Sequence, residues 1–252
     1  MMMNIATLKK AFQQTAWASL LVPAALLLPA SLVLADDPHD HGDNPMLTRV
    51  IIDEFEMRNA DGPNPMALEA QAWIGNDLHK LWLKTDIERR DGKTEEAEVQ
   101  ALYSHAIASF WDIQMGVRYD AKPTPTRTWA VIGVQGLAPY WFDIDTALFI
   151  AESGRTAARF SAEYELLFTQ KLILSPSVEV NLYGQNDAET GTGSGLSDAK
   201  AGLRLRYEIR REFAPYMGIN WNKKFGRTAQ LASSRGETVS DTELVVGLRA
   251  WY

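Results

Sequence analysis

The sequence predicts a transmembrane antiparallel β-barrel of about twelve strands, and three observations carry that prediction. Apolar and polar residues alternate over segments of about ten residues, as in strands with one face on lipid and the other in a lumen. The connections between these segments are alternately long and short over most of the chain. Beyond residue 35, no apolar stretch approaches the length of about 18 residues that a helical span requires.

Residues 1–35 are expected to be a cleaved signal peptide. Lys9 and Lys10 form a positive start, an apolar run follows, and Val33-Leu34-Ala35 provides small residues at the two positions that a signal peptidase reads. A membrane anchor is the alternative, but two prolines interrupt the apolar run. The expected organisation is a signal peptide at 1–35, a flexible acidic tail at 36–48 and an outer-membrane barrel at 49–252.

Charge and cysteine content narrow the function classes. The chain carries a formal charge of −7, and removal of Lys9 and Lys10 with the signal peptide leaves −9. Nucleic acid is therefore not expected as a partner, because phosphate binding needs a basic surface. Cysteine is absent, which is ordinary for an exported protein of the bacterial envelope and excludes thiolate metal sites and cysteine nucleophiles.

Strand positions follow from the alternation. The clearest case is 199–209, where Ala, Leu, Tyr and Ile side chains fall on one face and Lys200, Arg204, Arg206 and Glu208 on the other. A long charged face beside a long apolar face suits a barrel with a wet interior. Twelve strands are expected, at about 49–58, 68–74, 81–88, 97–103, 111–120, 127–136, 142–152, 159–166, 172–184, 199–210, 213–224 and 244–252.

The connections give an independent test of the barrel. Alternate connections are expected to be longer and to lie at the outer end, near 59–66, 90–95, 120–126, 153–155, 185–197 and 225–239, and only 153–155 breaks the rhythm. The intervening connections have about three to five residues and are expected at the periplasmic end. Aromatic residues gather near that end, as in the girdles that flank a membrane-spanning band.

The tail contains one candidate metal site. His39 and His41 flank an aspartate, and Met46 lies close by in the sequence. Imidazole suits copper, zinc and nickel, while a thioether suits the softer cuprous ion. A solvated acidic leader without metal is an equally good interpretation, so both stay open.

A second candidate site is formed by His79 and His105. A hairpin turning around Gly92 pairs residues whose numbers sum to 184, which places His79 opposite His105 near the periplasmic rim. Directly opposed side chains have Cβ atoms about 5 Å apart, close enough to share a metal. Parity groups both with Leu81 and Tyr103, however, and favours an outward-facing pair of interfacial rings.

The expected lumen face is rich in charges of both signs. Most of these charges are expected to pair and stiffen the barrel. An acidic cluster from Glu54, Glu56 and Glu69 on neighbouring strands is a candidate cation site. That hypothesis requires the three carboxylates to lack basic partners.

Several longer stretches resemble the copper resistance protein B family of outer-membrane proteins. Two of them read Gly-Leu-Ala-Pro-Tyr-Trp-Phe at 136–142 and Leu-Arg-Leu-Arg-Tyr-Glu-Ile-Arg-Arg-Glu-Phe at 203–213. The resemblance runs from about Val50 to Tyr252. Its residues lie at 97–104, 116–120, 127–129, 133–142, 152–159, 181–184, 193–198 and 203–216.

The resemblance implies a role in copper tolerance. It implies binding or export of copper, as Cu+ or Cu2+, at the outer membrane, with a periplasmic multicopper oxidase as a partner. Family members often carry a long Met- and His-rich N-terminal region, whereas the tail here holds two His and one Met. Copper sites within the barrel therefore gain importance.

Two other function classes compete with the copper barrel. One is a general small-solute channel or structural barrel without a specific metal site. The other is an outer-membrane hydrolase, for which Ser104 beside His105 is the candidate pair. Adjacent strand residues face opposite ways, so these two cannot pair directly, and no enzyme activity is expected.

Overall fold

The computed structural model describes residues 44–59 and 64–252. The expected signal peptide lies outside the described residues, as do His39 and His41. The strands are β1 (Leu47–Asn59), β2 (Met66–Gly75), β3 (His79–Arg90), β4 (Lys93–Ala108), β5 (Trp111–Lys122), β6 (Arg127–Ala138), β7 (Phe142–Ala151), β8 (Thr156–Tyr164), β9 (Leu166–Leu167), β10 (Leu172–Tyr183), β11 (Gly195–Tyr207), β12 (Phe213–Lys224) and β13 (Ser240–Trp251). A short 3-10 helix (Pro139–Trp141) precedes β7, and α1 (Gly226–Ser234) precedes β13.

The strands form one closed antiparallel sheet. Each long strand pairs with its neighbours in chain order, and β1 pairs with both β2 and β13, which closes the barrel. The two-residue β9 follows β8 after a single residue, and both pair with β10. The barrel thus has twelve long strands, as the alternation predicts. Within the described residues, no helix has the length and apolar character needed to cross a membrane.

The two faces of the sheet have the composition that the alternation predicts. Large apolar side chains such as Leu81, Met217 and Val246 are more than half exposed on the outer wall. Polar side chains at the intervening positions, such as Ser104 and Gln114, are buried inside. The first strand begins at Leu47, two residues before the expected start of the barrel.

One expected connection is wrong. The predicted loop at 90–95 is a two-residue turn, because β3 runs to Arg90 and β4 begins at Lys93. Asp91 and Gly92 have φ of 51° and 73°, the left-handed values that tight hairpin turns require and that the Asp-Gly pair favours. The long-short rhythm therefore fails at 91–92 as well as at 152–155. The two longest connections between neighbouring long strands of the barrel lie at 184–194 and 225–239.

Part of the lumen is lined by apolar side chains, whereas the alternation predicts a polar and charged lumen face. Phe149 is 2% exposed and packs with Leu102, Trp129, Val131 and Ala151, all on lumen positions of β4, β6 and β7. The guanidinium groups of Arg118 and Arg159 lie 4.7 Å and 5.7 Å from the Phe149 ring centroid. Apolar packing therefore fills one side of the barrel, and the lumen cavities lie beside it.

Candidate functional site

Four carboxylates stand side by side across four neighbouring strands. Glu54 of β1 pairs in register with Glu69 of β2, Glu69 pairs with Asp86 of β3, and Asp86 pairs with Glu98 of β4. All four line a lumen cavity of about 310 Å³. Directly opposed like charges on a sheet are destabilising, so this carboxylate row (Glu54, Glu69, Asp86 and Glu98) needs compensating charge.

Arginines compensate both ends of the carboxylate row. Glu54 lies 2.7 Å from Arg204 and 3.7 Å from Arg58. Glu98 lies 2.9 Å from Arg118 and 2.9 Å from Arg159. Arg159 belongs to β8 and Glu98 to β4, so this ion pair reaches across the lumen. The ends of the row are therefore parts of the barrel's own ion-pair network.

The two central carboxylates are different. Within the described residues, neither Glu69 nor Asp86 has an ion pair within 4 Å or a side-chain hydrogen bond. The Glu69 side chain is exposed to the lumen. Lys200 is the cation whose charge acts most strongly on Asp86, and it also faces Glu96, Glu179 and Asp198. The centre of the row is thus a carboxylate patch (Glu69 and Asp86) without direct ion pairs among the described residues, and Lys200 lies opposite it.

Asp86, one of the two central carboxylates, lies where two lumen cavities meet. A second cavity, of about 750 Å³, opens toward the long loops and is lined by Asp187 and Arg235 among others. The residues that line both cavities mark the junction between them. They include Asp86, Glu88, Glu98, Arg159, Glu179 and Lys200.

Glu56, the remaining candidate carboxylate in the lumen, accepts hydrogen bonds on both of its oxygens. Its side chain is 1% exposed and accepts hydrogen bonds from Arg58 at 2.6 Å and Tyr216 at 3.0 Å. Arg204 and Asn220 donate to it at 3.2 Å and 3.3 Å. The condition that the candidate carboxylates lack basic partners is therefore met by Glu69 and not by Glu54 or Glu56.

The His79–His105 register is confirmed. The two residues are cross-strand partners, and their ring centroids lie 4.7 Å apart with planes inclined by 24°. Both lie on the outer wall with Tyr103 and Leu81, as parity predicts. A metal ion must lie in the plane of each ligating ring, along a nitrogen lone pair. Nearly stacked rings do not offer this, so a shared metal requires one ring to turn.

Hydrogen bonding distinguishes the two imidazoles. His79 Nδ1 lies 2.5 Å from the Tyr103 hydroxyl, an arrangement that orients the ring and leaves Nε2 available. His105 Nδ1 is buried, and no residue within 44–59 and 64–252 forms a hydrogen bond with it. A metal on His105 Nε2 would require a proton on that buried nitrogen, which is costly without an acceptor. His79 is therefore the better ligand of the pair.

Met46 precedes β1 and is 69% exposed. His39 and His41, its expected co-ligands, belong to the residues that the structure does not describe. Over 44–59 and 64–252, no three His, Asp or Glu side chains are grouped to hold a metal ion. The carboxylate row is a charged stretch of wall and not a preformed cage.

Sequence reasoning overlooked Asp86 and Lys200 as site residues. The signal for Asp86 was available, because the same Gly92 turn that pairs the histidines pairs Asp86 with Glu98. Lys200 carries no comparable signal, since its position facing β3 and β4 depends on how the barrel closes. The apolar cluster around Phe149 also follows from parity, because Leu102 and Phe149 share their faces with Gln100 and Asp145.

Two solved porin structures have a fold similar to that of this chain. It is similar to the NanC porin, with a TM-score of 0.53 and 11% identity, covering 81% of this chain and 99% of that chain. It is similar to the KdgM porin, with a TM-score of 0.51 and 12% identity, covering 81% and 98%. At such identities these likenesses support the porin-like barrel fold alone.

Sequence comparisons are more specific. Residues 46–252 match the family model described as Copper resistance protein B precursor (CopB). A Copper resistance protein B homolog from Pseudomonas syringae pv. tomato is 45% identical over 223 residues, covering 88% of this chain and 76% of that protein. Copper resistance protein B from Escherichia coli is 45% identical over 203 residues, covering 81% and 69%. The chain therefore belongs to the copper resistance protein B family and is an outer-membrane β-barrel protein with a role in copper resistance.

Proposed function

We propose that this barrel binds copper ions in its lumen, at Glu69 and Asp86, and lets them cross the outer membrane there. The observation that carries the proposal is the pair of adjacent carboxylates Glu69 and Asp86, for which the described residues provide no ion pair, with Asp86 at the junction of the two cavities. A cation between them would relieve the repulsion of two directly opposed negative charges. In a narrow lumen with walls of low dielectric constant, such a patch also raises the local cation concentration.

The carboxylate row does not enclose a cation, and this geometry suits the passage of a cation through the lumen. Conduction requires binding that is favourable enough for entry and weak enough for release. Two carboxylates from neighbouring strands give a weaker site than a full set of ligands. Lys200, on the facing wall, supplies a tethered positive charge that competes with the bound cation and favours its release.

Ligand chemistry assigns different ions to different parts of the chain. Carboxylate oxygens are hard ligands and favour cupric over cuprous ion. His39, His41 and Met46 combine imidazole with thioether, which suits capture of either oxidation state in the periplasm. His79 and His105 form a further proposed copper site at the outer wall, with His79 Nε2 as the main ligand.

The proposal gives the barrel no catalytic role. Ser104 donates a hydrogen bond to Asp112 inside the lumen at 3.0 Å, whereas His105 lies on the outer wall. The two side chains of the candidate hydrolase pair are therefore on opposite faces of the sheet. A periplasmic multicopper oxidase, which the family resemblance implies, is the proposed partner.

The lumen site is tested by the double variant Glu69→Gln, Asp86→Asn. The refolded barrel is placed in lipid vesicles, and Cu2+ binding and entry into the vesicles are measured. We expect a loss of about tenfold or more in affinity, equivalent to about 1.4 kcal/mol. Glu152→Gln, which removes one carboxylate from an outer loop, is the matched control and should leave both quantities unchanged.

The same assay separates the copper barrel from a general channel. If the double variant conducts copper as the parent does, and both conduct uncharged solutes equally well, the barrel is a general channel. Two double variants test the other proposed ligands. One combines His39→Ala with His41→Ala, and the other combines His79→Phe with His105→Phe. Unchanged affinities for both Cu+ and Cu2+ in these variants would remove the histidines from the proposal.

A further inference from the structure

Two loops at the outer end of the barrel are joined to each other beside the larger lumen cavity. They are the β10–β11 loop, 184–194, and the β12–β13 loop, 225–239, which contains α1. Both contribute to the wall of the cavity of about 750 Å³, with Asp187 and Thr192 from the first loop and Thr228 from the second. We call the two loops together the strap.

Helix α1 is attached to the lumen side of β11. The Thr228 hydroxyl lies 2.9 Å from the Ser197 hydroxyl and accepts a hydrogen bond from the Gly193 amide at 2.8 Å. Before the first turn of the helix, the Phe225 amide donates to the Ser197 carbonyl at 2.7 Å. Ser197 is completely buried, and a Cβ atom at Gly193 would lie 2.5 Å from Cβ of Arg227. Glycine at this position therefore permits the close approach of the two loops.

Arg235, just beyond the end of α1, joins the two loops a second time. Its guanidinium donates to the backbone carbonyls of Ala188 and Glu189, to the latter at 3.5 Å. The β10–β11 loop is held on its other side by Arg127 of β6, which donates to Asp187 at 2.8 Å and to Glu189 at 3.1 Å. A continuous series of polar contacts therefore runs from β6 through both loops of the strap.

The strap connects opposite sides of the barrel. In the ring of twelve long strands, five strands lie between β6 and β13 in one direction and five in the other. Asp187 reaches Arg127 past two intervening strands, β7 and β8, and the second loop leads directly into β13. Arg127, Asp187 and Arg235 all line the outer cavity, so the strap extends over this cavity and narrows its exit.

Polar contacts, and not an apolar core, hold the strap in place. Within the described residues, α1 buries only Thr228 and Ala232, and both of these side chains are small. Segments with few buried apolar contacts open at a lower cost in free energy than the central strands of a sheet. The strap is therefore a part of the molecule that can be released while the barrel stays folded.

We infer that the strap is a gate at the outer exit of the lumen. In the closed state, Thr228 and Arg235 hold α1 beside the outer cavity and narrow the path to the outside. Release of their contacts lets α1 move away from the cavity and widens the exit. The gate rests on the proposed passage of ions through the lumen, but not on which ion passes or on binding at Glu69 and Asp86.

Potassium currents through single barrels in planar lipid bilayers test the gate without copper. The variant Thr228→Val, Arg235→Ala removes both side-chain attachments between the two loops. Its conductance should be about twofold or more above that of the parent protein, because the narrowest part of a pore limits the current. Arg211→Ala, at the opposite end of the barrel, is the matched control and should leave the conductance unchanged. Heat-dependent gel mobility checks that each variant is folded.

An engineered disulfide gives the converse test, because the chain contains no cysteine. Ser197→Cys with Thr228→Cys places two thiols where the hydroxyl groups lie 2.9 Å apart, so oxidation should lock α1 to β11. When these changes are combined with Arg235→Ala, the oxidised barrel should conduct as the parent does. Reduction with dithiothreitol should restore the higher conductance, whereas variants with only one of the two cysteines should not respond. Failure of the disulfide to form would contradict the contact between α1 and β11.

Equal conductance of the released variant and the parent would overturn the gate, as would equal conductance of the oxidised and reduced barrels. If the strap variants change the potassium current while Glu69→Gln, Asp86→Asn leaves copper binding and entry unchanged, the gate stands and the lumen copper site is wrong. If none of the proteins carries a potassium current, the gate and the proposed passage are both wrong. Copper affinity at Glu69 and Asp86 is measured separately by titration.

Discussion

Glu56 and Glu69 face the same lumen from neighbouring strands, yet their surroundings differ. Glu56 is almost completely buried and accepts hydrogen bonds from Arg58, Arg204, Tyr216 and Asn220. Glu69 is exposed to the lumen, and the described residues provide it with no ion pair or hydrogen bond. The neighbours of Glu69 in register are carboxylates, Glu54 and Asp86.

The comparison separates two uses of a lumen carboxylate. A saturated carboxylate such as Glu56 has no lone pair left for an incoming ion, and it holds β1 against β11 and β12. An unpaired carboxylate contributes little to the barrel's stability but attracts cations. Counting acidic residues in a lumen therefore says little about binding until their partners are known.

The largest effect is expected from Glu56→Ala. Removing this carboxylate leaves Arg58 and Arg204 with one buried partner fewer, and breaking such a buried network costs about 3–5 kcal/mol. The variant barrel should lose its heat-dependent gel mobility at a lower temperature and unfold at a lower urea concentration. If the variant unfolds at the same temperature and urea concentration as the parent protein, Glu56 does not stabilise the barrel, and the distinction between structural and binding carboxylates is wrong.

A third carboxylate, Asp187, extends the comparison to the outer loops. Burial alone would raise the pKa of Asp187, but hydrogen bonds from Arg127 at 2.8 Å and 3.2 Å and the charge of Arg155 hold that pKa below its usual value. A lowered folded pKa stabilises the loop at all pH values above the ordinary aspartate pKa of about 3.9. This contribution is lost as the pH falls through the folded pKa.

Asp187→Asn should therefore loosen the loop at 184–194 at neutral pH. Its charge-assisted hydrogen bonds are worth about 1.5–3 kcal/mol. Protease cleavage of intact cells or vesicles measures the opening of this loop. The parent protein should become sensitive only under strongly acidic conditions, and the variant already near pH 7. Equal cleavage of both proteins at pH 7 would contradict a stabilising role for Asp187.

The smallest stability effect is expected from Glu69→Gln combined with Asp86→Asn. Relief of the repulsion between directly opposed carboxylates should leave the barrel unchanged or stabilise it by about 0.2–1 kcal/mol. Urea unfolding in metal-free buffer measures this, with Glu56→Gln as the contrasting variant. A marked loss of stability in the double variant would assign Glu69 and Asp86 to the structural class.

The fold was largely predictable because its determinants are local. Alternation between successive residues locates a strand such as β11. The expected hairpin around Gly92 gives the register that joins His79 to His105, and the structure reaches this register through a two-residue turn followed by a β-bulge between Glu88 and Arg89. The length of that connection was wrong, because a loop was expected at 90–95, although Asp91-Gly92 is a strong signal for a two-residue turn. Expecting a loop there came from the long-short rhythm of connections, which is a tendency and not a rule.

The candidate site was only partly predictable because its determinants are distant in sequence. Glu54 and Glu56 depend on Arg204, about 150 positions away, and Glu98 depends on Arg159 across the lumen. Parity assigns a charge to the lumen but does not say which other charge it meets. Whether a carboxylate is paired or open is a property of the closed barrel.

Crystals of the barrel grown with Cu2+ and measured at the copper absorption edge test the central claim most directly. The predicted result is an anomalous peak between the carboxylates of Glu69 and Asp86, facing Lys200. A lumen without such a peak, in crystals where copper occupies only the outer wall at His79, would contradict copper binding at the carboxylate row.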